Sequence, residues 1–361
     1  MKRKKILSLL LCAALAAAML AGCADPAAQS SQPPAGSQQP NNTPAASAPP
    51  EGTSPVGEGI QMPAGFDSSN INWIVPAAAG SAVDLITRGV ADAIGKDLGA
   101  NINVENLAGA SQTIGAAEFS IRNADGHNLL TIANACYFTQ PLLTELTYDI
   151  NDWRPICNLA PPSSCCIAVK AGSELADPEA WIAKIKEGGF TYGFANSASI
   201  GHLAGLQALD AFGAGENTPI VYNGSPELTA AVLSGEIDFA VMEDSVLISY
   251  VNSGEMTAVM ACTSALHPNF PDAAYIGQYV SDFVPISGVK CLAVLKDTPE
   301  EEVQWLKQQI NKALASQEYQ DYLVSTGYST MEVMEEDDIA SWLADMLEIS
   351  QQVMKKAGLI S

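Results

Sequence analysis

The chain predicts an α/β fold: mostly parallel sheets covered by helices on both faces. Short β-type runs alternate with helical ones from Ile71 onward, and the breaks between them are turns of small residues leading into helix caps. The expected strands are Ile71 to Val75, Ile102 to Glu105, Leu129 to Ala133, Ile156 to Leu159 and Ile167 to Val169. Further along they are Thr191 to Phe194, Ile220 to Tyr222, Phe239 to Met242, Thr257 to Cys262 and Cys291 to Val294. Between them, apolar residues recur at helical spacing over Val83 to Leu98, Thr113 to Arg122, Pro178 to Lys186, Ile200 to Phe212 and Pro226 to Leu233. Helix starts are legible. Ser81 with Asp84 is a capping-box pattern, Asp177-Pro178 and Ser225-Pro226 set a cap before a first-turn proline, and Thr298-Pro299 with Glu301 combines the two. Two helices, Glu300 to Ala315 and Glu336 to Lys356 with a stop at Gly358, follow the last strand and are expected to brace the first half of the body.

A different kind of segment precedes this body. Lys2-Arg3-Lys4-Lys5, the apolar run Ile6 to Leu20 and then Leu20-Ala21-Gly22-Cys23 read as a lipoprotein export signal over residues 1–22. The apolar run is short for a bilayer span. Cys23, first residue after the cut, is the expected lipid acceptor; each buried acyl methylene contributes about 0.8 kcal/mol to anchoring. An ordinary secretory signal is the alternative. Residues 23–66 are rich in Pro, Gln, Ser, Ala and Gly, too poor in apolar surface to offset their ordering entropy, and read as a tether. As a flexible chain it reaches roughly 35 Å. The expected location is therefore extracytoplasmic, with a lipid anchor holding the folded body to the membrane.

Charge and cysteine content narrow the function. The formal net charge is -23, and loss of the four basic residues of the signal takes it to about -27. A general electrostatic footprint for nucleic acid is excluded by that balance. A small anion is not, because exposed charges are screened beyond about 8 Å at physiological ionic strength. Cys136, Cys157, Cys165, Cys166, Cys262 and Cys291 remain in the body. Disulfides among them stay open, with Cys165-Cys166 read as buried thiols in an apolar run. No zinc spacing is present, the histidines are His127, His202 and His267, and no metal or cofactor is expected.

Candidate chemistry sits where strands run into helices, because helix N-termini carry free N–H groups. Three such turns have little side-chain bulk: Pro76-Ala77-Ala78-Ala79-Gly80-Ser81, Ala195-Asn196-Ser197-Ala198-Ser199-Ile200-Gly201-His202 and Asn223-Gly224-Ser225-Pro226. Each on its own is also what a tight strand-to-helix turn needs.

In order along the body, "IVPAAAGSAVDLITR", "VENLAGASQTIGA", "ADGHNLL", "YDINDWRPI", "YGFANSASIGHLAG", "VYNGSPELTAAVLSGEIDF" and "DTPEEEVQWLKQQINKAL" resemble the extracytoplasmic solute receptors of tripartite tricarboxylate transporters, also called Bug receptors. The first matches the family's strand, Pro-Phe-x-Pro-Gly-Gly-x-x-Asp and helix; the second matches Val-Glu-Asn-x-x-Gly-Ala-Gly-Gly-x-x-Gly. The resemblance implies a two-lobed, type II periplasmic-binding-protein-like fold, a Venus flytrap closing over a small carboxylate in the cleft between lobes. It further implies delivery of that solute to membrane transporter subunits. Lobe one is expected over residues 67–164 and 290–361 and lobe two over 165–289, with crossing strands near Ile167 and Cys291 as the hinge.

Carried over by position, the resemblance nominates backbone amides of Ala78, Ala79, Gly80 and Ser81 in lobe one and of Asn196, Ser197, Ala198 and Ser199 in lobe two. Asp84 would hold the first loop, and Ala133, Asn134 and Ala135 would add contacts. The family's Phe, second Pro and second Gly in the first loop are here Ala77, Ala79 and Ser81, which implies a roomier pocket. Where relatives carry Asp after the eighth strand, this chain has Met242 and then Glu243, either an exposed loop carboxylate or a partner for an amine on the solute. His202 reads as a residue packed against its loop or as a direct contact; Tyr222 and Gly224 are further candidates. Trp73, Trp153 and Trp181 read as packing, and Glu105-Asn106 as an anchor of the turn at Gly109. Two other functions stay open: a sensor of the same fold without transport, and a hydrolase using a cleft Ser or Cys. No G-x-S-x-G elbow supports the second, and no catalytic residue is assigned.

Overall fold

Two sheets organise the chain, and in each a single strand runs against the rest. The computed structural model describes residues 60–361; the expected signal, Cys23 and the tether as far as residue 59 lie outside the described residues. The first sheet contains β1 (Asn72–Val75), β2 (Asn103–Asn106), β3 (Asn128–Ile132), β4 (Trp153–Asn158) and β11 (Cys291–Leu295), in the order β2-β1-β3-β11-β4. Only β11 is antiparallel, to both β3 and β4. The second sheet contains β5 (Cys165–Lys170), β6 (Phe190–Ala195), β7 (Asn217–Tyr222), β8 (Phe239–Glu243), β9 (Met256–Ala261) and β10 (Ala274–Tyr275), in the order β10-β9-β5-β8-β6-β7. Here only β5 is antiparallel to its neighbours. Every expected strand is present to within a few residues; the two-residue β10 was not anticipated.

Helices cover both faces of each sheet, which explains the near-continuous apolar strands. On one face of the first sheet lie α1 (Ala82–Leu98), α8 (Glu300–Leu314) and α9 (Gln317–Ser325), around Trp73, Leu292, Trp305 and Tyr319. The other face holds α2 (Thr113–Ser120), a π-turn at Ala135–Thr139 and the start of α10 (Glu336–Lys356); the short α3 (Gln140–Leu143) follows the π-turn and lays Leu142 on the core of the second sheet. The second sheet is covered by α4 (Pro178–Glu187) and α5 (Ile200–Ala211) on one side, and by α6 (Ser225–Ser234) and α7 (Asp244–Asn252) on the other. Trp73, Trp153 and Trp181 are all buried, as their packing role requires. Phe66 is also buried, stacked on His127 at 4.3 Å between ring centres, so ordered packing begins before residue 67.

Two caps depart from expectation. Ser81 accepts from the Asp84 N–H and Asp177 from the Ala180 N–H, as their patterns required. Ser225, however, is the first residue of α6, whose cap is Gly224 without a side-chain bond, and Pro299 rather than Thr298 precedes α8. In α6 the first-turn Pro226 removes one N–H that a cap would otherwise have to satisfy, whereas in α8 Pro299 is itself the extended cap residue. The last helix also bridges the halves. Ile339, Leu343 and Met346 of α10 sit in the core beside the first sheet, whereas Met354 is buried in the core of the second and Lys356 bonds Asp210 of α5.

The strand directions dictate where the two halves face each other. β4 leaves the first sheet at its carboxyl edge, and β5 enters the second opposite Glu243, at the carboxyl end of β8. On the return, β11 begins opposite Ile132 and Asn158, the carboxyl ends of β3 and β4. Both crossings therefore join carboxyl edge to carboxyl edge. The crossing segments are residues 159–164 and 286–290, not the strand centre near Ile167. They pair through Ser163 and Gly288, with Ser163 donating to Gly288 at 3.2 Å and Gly288 to Ser163 at 2.7 Å. Gly288 is needed for this approach: a Cβ there would lie 1.9 Å from Ser163 Oγ.

Asn134, just past β3, fastens the second crossing to lobe one. Its Nδ2 donates to the Ser287 carbonyl at 3.1 Å and its Oδ1 accepts from the Val289 N–H at 2.9 Å. Truncation strands a part-buried donor and acceptor, so Asn134→Ala should cost about 1–3 kcal/mol of unfolding free energy. Urea denaturation at pH 7 reads this directly; an unchanged midpoint would show that the crossing is held elsewhere.

Candidate functional site

The first loop, between β1 and α1, is built around one buried carboxylate. Asp84 is 2% exposed and accepts three hydrogen bonds: from the Gly80 N–H at 2.7 Å, Asn106 Nδ2 at 2.8 Å and Arg88 Nε at 2.9 Å. Burial pushes its pKa up, but these donors outweigh burial and hold it below the ordinary value of 3.8. Asn106 ties the loop further by donating to the Ala77 carbonyl at 3.1 Å. The sequence assigned Asn106 to the turn at Gly109; its true work is to lock the first loop from the end of β2. Gly80 has φ +77°, a left-handed conformation that a side chain enters at a cost of about 1–2 kcal/mol.

With Gly80 bonded to Asp84 and the Ser81 N–H to the Ala78 carbonyl at 3.1 Å, neither of these nominated amides is free. Ala78 and Ala79 are exposed, and among the described residues their N–H groups have no acceptor; nor do those of Ala82 and Val83 in the first turn of α1. The Ser81 hydroxyl is occupied by the Asp84 N–H.

The second loop, between β6 and α5, has the same construction with different parts. Asn196 and Ala198 are left-handed, at φ 62° and 55°. The Asn196 N–H donates to the Tyr222 carbonyl at 2.8 Å, and the Ala198 N–H donates to His202 Nδ1 at 3.1 Å. Ser199 caps α5 by accepting from the His202 N–H. Ala198 is buried and its N–H is used, so it is not a donor to a ligand. Ser197 and Ser199 keep free N–H groups, as do Ile200 and Gly201, among the described residues. Non-glycine left-handed residues persist where surrounding structure over-determines them, typically at ligand clamps.

His202 packs face to face on Phe194, 4.0 Å between ring centres, and is 8% exposed. Burial lowers its pKa to about 4, so it is neutral at pH 7. With Nδ1 accepting from Ala198, its proton resides on Nε2. His202 thus braces its own loop through Nδ1, and its Nε2–H has no acceptor among the described residues.

The remaining nominees are dispersed. Ala133 is 1% exposed and lies in the core. Asn134 is occupied at the crossing, and the Ala135 N–H donates to Gln112 Oε1 at 2.9 Å. Met242 is 2% exposed: alternation along β8 aims it at the α6–α7 core, and both faces of that central strand are covered. Tyr222 donates its phenol to Glu236 at 3.0 Å, and Gly224 serves as the cap of α6. Glu243 lies 3.9 Å from Lys290 Nζ, which makes a solute amine a poor match for it. Burial opposes the charge of Lys290, yet Tyr328, Glu243 and Asp244 hold its pKa above the usual lysine value.

Four residues given no role by the sequence shape this region. Asp244 at the start of α7 accepts from the Ser164 N–H at 3.0 Å and from its hydroxyl at 3.1 Å, and contacts His267 Nε2 at 3.2 Å. Only the fold brings these positions together; Asp244 beside a strand end was the one available signal. Gln112, bonded to the Ala135 N–H, is the fourth.

The second loop lies against a crossing. A Cβ on Gly288 would approach Ile200 Cδ1 at 3.2 Å, and Asn134 grips the neighbouring residues from lobe one. The first turns of α1 and α5 therefore open from carboxyl edges that the crossings join.

Asp84→Asn should loosen the first loop and lower stability at pH 7. Because the folded pKa is depressed, the carboxylate's contribution is complete above the ordinary value and lost as pH falls through the folded one. The gap between the variant and the parent should therefore narrow below about pH 4, as read by urea denaturation at pH 7 and pH 3. A gap that does not depend on pH would contradict a stabilising charge.

Comparison with known proteins fits this architecture. Residues 86–359 match the model of the tripartite tricarboxylate transporter family receptor. Protein BugT of Bordetella pertussis is 24% identical over 309 residues, covering 83% of this chain and 94% of that protein. Two solved structures share the fold. Rhodopseudomonas palustris Rpa4515 with adipate has a TM-score of 0.72 at 19% identity, covering 81% of this chain and 98% of its own. MatC from the same organism, with bound malate, has 0.68 at 18%, covering 80% and 99%. The architecture is the two-lobed type II binding-protein fold, with carboxyl edges opposed across a cleft. On the extent of the family match, this chain belongs to the receptors of the tripartite tricarboxylate transporter family.

Proposed function

We propose that this protein is an extracytoplasmic receptor that captures a small carboxylate between residues 67–164 with 290–361 and residues 165–289, and presents it to a membrane transporter. The observation that carries this reading is the set of unsatisfied N–H groups on both sides: Ala78, Ala79, Ala82 and Val83 on one, Ser197, Ser199, Ile200 and Gly201 on the other. Donors without acceptors at two helix N-termini suit an anion. A hydrogen bond to a charged group contributes about 1.5–3 kcal/mol, so a few together reach the roughly 8 kcal/mol of micromolar affinity after ordering costs. Malate on MatC and adipate on Rpa4515 indicate dicarboxylates as first probes. Binding is expected to favour the closed arrangement, with segments 159–164 and 286–290 bending.

Nothing in the site suggests covalent chemistry. Among the described residues the cysteines are free and buried, and burial pushes the thiols of Cys136, Cys157 and Cys262 up to about 12, far from a nucleophilic thiolate. Ser199 is occupied as a cap, and His202 is turned to its own loop. Among the described residues no helix is long and apolar enough to cross a membrane, and we assign membrane attachment to Cys23. Changing Cys23 to Ser should release the protein into the medium; retention on membranes would refute the anchor.

The test of the site is hydrogen exchange with and without saturating malate, adipate or the best acid from a thermal-shift panel. Protection should concentrate at the amides of Ala78, Ala79, Ala82, Val83, Ser197, Ser199, Ile200 and Gly201, with no chemical change in the acid. An acid that binds while those amides exchange at the free rate would place the site elsewhere.

A further inference from the structure

We propose that Gln112 is a specificity-determining residue of this cleft: it shields the backbone donors after β3 and offers its own amide to the solute instead. This rests on the carboxylate reading above and goes beyond it by naming what replaces the missing donors in lobe one.

Backbone strain marks the loop after β2. Ala110, Ser111 and Gln112 follow β2 with φ of 44°, 52° and 74°, three consecutive non-glycine residues in the left-handed region. Such residues persist only where something over-determines them. The family pattern quoted for this stretch has glycines where this chain has Ser111 and Gln112, so the chain keeps a glycine conformation without glycine. What holds it is visible. Gln112 Oε1 accepts from the Ala135 N–H at 2.9 Å and the Cys136 N–H at 3.3 Å.

Those two N–H groups head the π-turn at the carboxyl end of β3. The residues of that loop were nominated as solute contacts, and Gln112 occupies their donors. A backbone N–H only donates, so the amide has one admissible orientation, with oxygen toward Ala135 and nitrogen away. Nε2 has no acceptor among the described residues, and the side chain is half-buried. The loop carrying it leaves the first sheet at the same edge as the Ala78–Ser81 loop. The arrangement moves the donor away from the β3 backbone by the length of a side chain.

Gln112→Glu separates this role from a structural one. A carboxylate accepts from the same two N–H groups, so the loop stays braced and the melting temperature should hold, but the donor is gone and a negative charge replaces it. Titration calorimetry with malate, adipate and the best acid of the panel should show at least about tenfold weaker binding, the worth of one charge-assisted hydrogen bond. Gln112→Gly should keep the fold, relax the strain and free the Ala135 and Cys136 donors, changing the rank order of the acids. Parent-like affinity in Gln112→Glu, or equal weakening of all acids in Gln112→Gly with a lowered melting temperature, would reduce Gln112 to a strut. If the unaltered protein bound no acid, the carboxylate reading would fail and carry this proposal with it; if it bound and Gln112→Glu bound equally well, only the role of Gln112 would fail.

Discussion

The structure depends on the paired crossing of residues 159–164 and 286–290. Each crossing delivers one strand into the opposite sheet from its carboxyl edge, which is why β5 and β11 alone run against their neighbours. The consequence is topological: parallel strands collect their loops and helix N-termini at the carboxyl edge, and here two such edges are bound to confront each other. The narrow contact of Ser163 with Gly288 leaves little covalent material between two well-filled cores, while Asn134, the Asp244–Ser164 bonds and Lys290 tie its ends to their own sheets. The polar groups at both ends are already satisfied by fixed partners, so any bend between the halves would fall on this short length. α10 qualifies this freedom: with residues in both cores, it has to flex or slide with any change of lobe angle.

Much of the fold was legible because periodicity and caps are local. Buried strands such as Leu292 to Leu295 announce themselves by continuous apolar character, and α1 by Ser81 and Asp84. The missed helices show where local signals fail. α7, Asp-Ser-Val-Leu-Ile-Ser-Tyr-Val-Asn, is rich in residues that favour strands, and its helical state comes from packing against β5, β8 and β9. α9 lies between longer helices with only Ser316 to mark its start.

The candidate site was legible as two loops but not as individual donors. Small residues after β1 and β6 are visible in the sequence; which N–H groups remain free is not. Gly80 and Ala198 lose theirs to Asp84 and His202, four residues away, and Ala135 loses its own to Gln112, twenty-three residues back. The first two are within reach of a careful capping argument, whereas the third requires knowing that β2 and β3 flank β1. Met242 failed for a simpler reason: in a strand covered on both faces, a residue near the end is still core unless its side chain passes the edge.

A chain this acidic can hold an anion only if the charges nearest the cleft do not oppose it. Screening removes exposed charges farther than about 8 Å, so the decision falls to near groups such as Asp84 and Glu243. Asp84 is ion-paired with Arg88 at 2.9 Å and saturated by two further donors, which leaves the field at the first loop dominated by exposed N–H dipoles. Glu243 faces the buried ammonium of Lys290, whose charge is retained in spite of burial. Asp84 and Glu243 thus each face a cation of the protein, whereas Asp244 is held by Ser164 and His267, and Glu227 in the first turn of α6 accepts from Asn223. Net charge governs solubility and long-range encounter; the sign of the bound solute is set by these few groups.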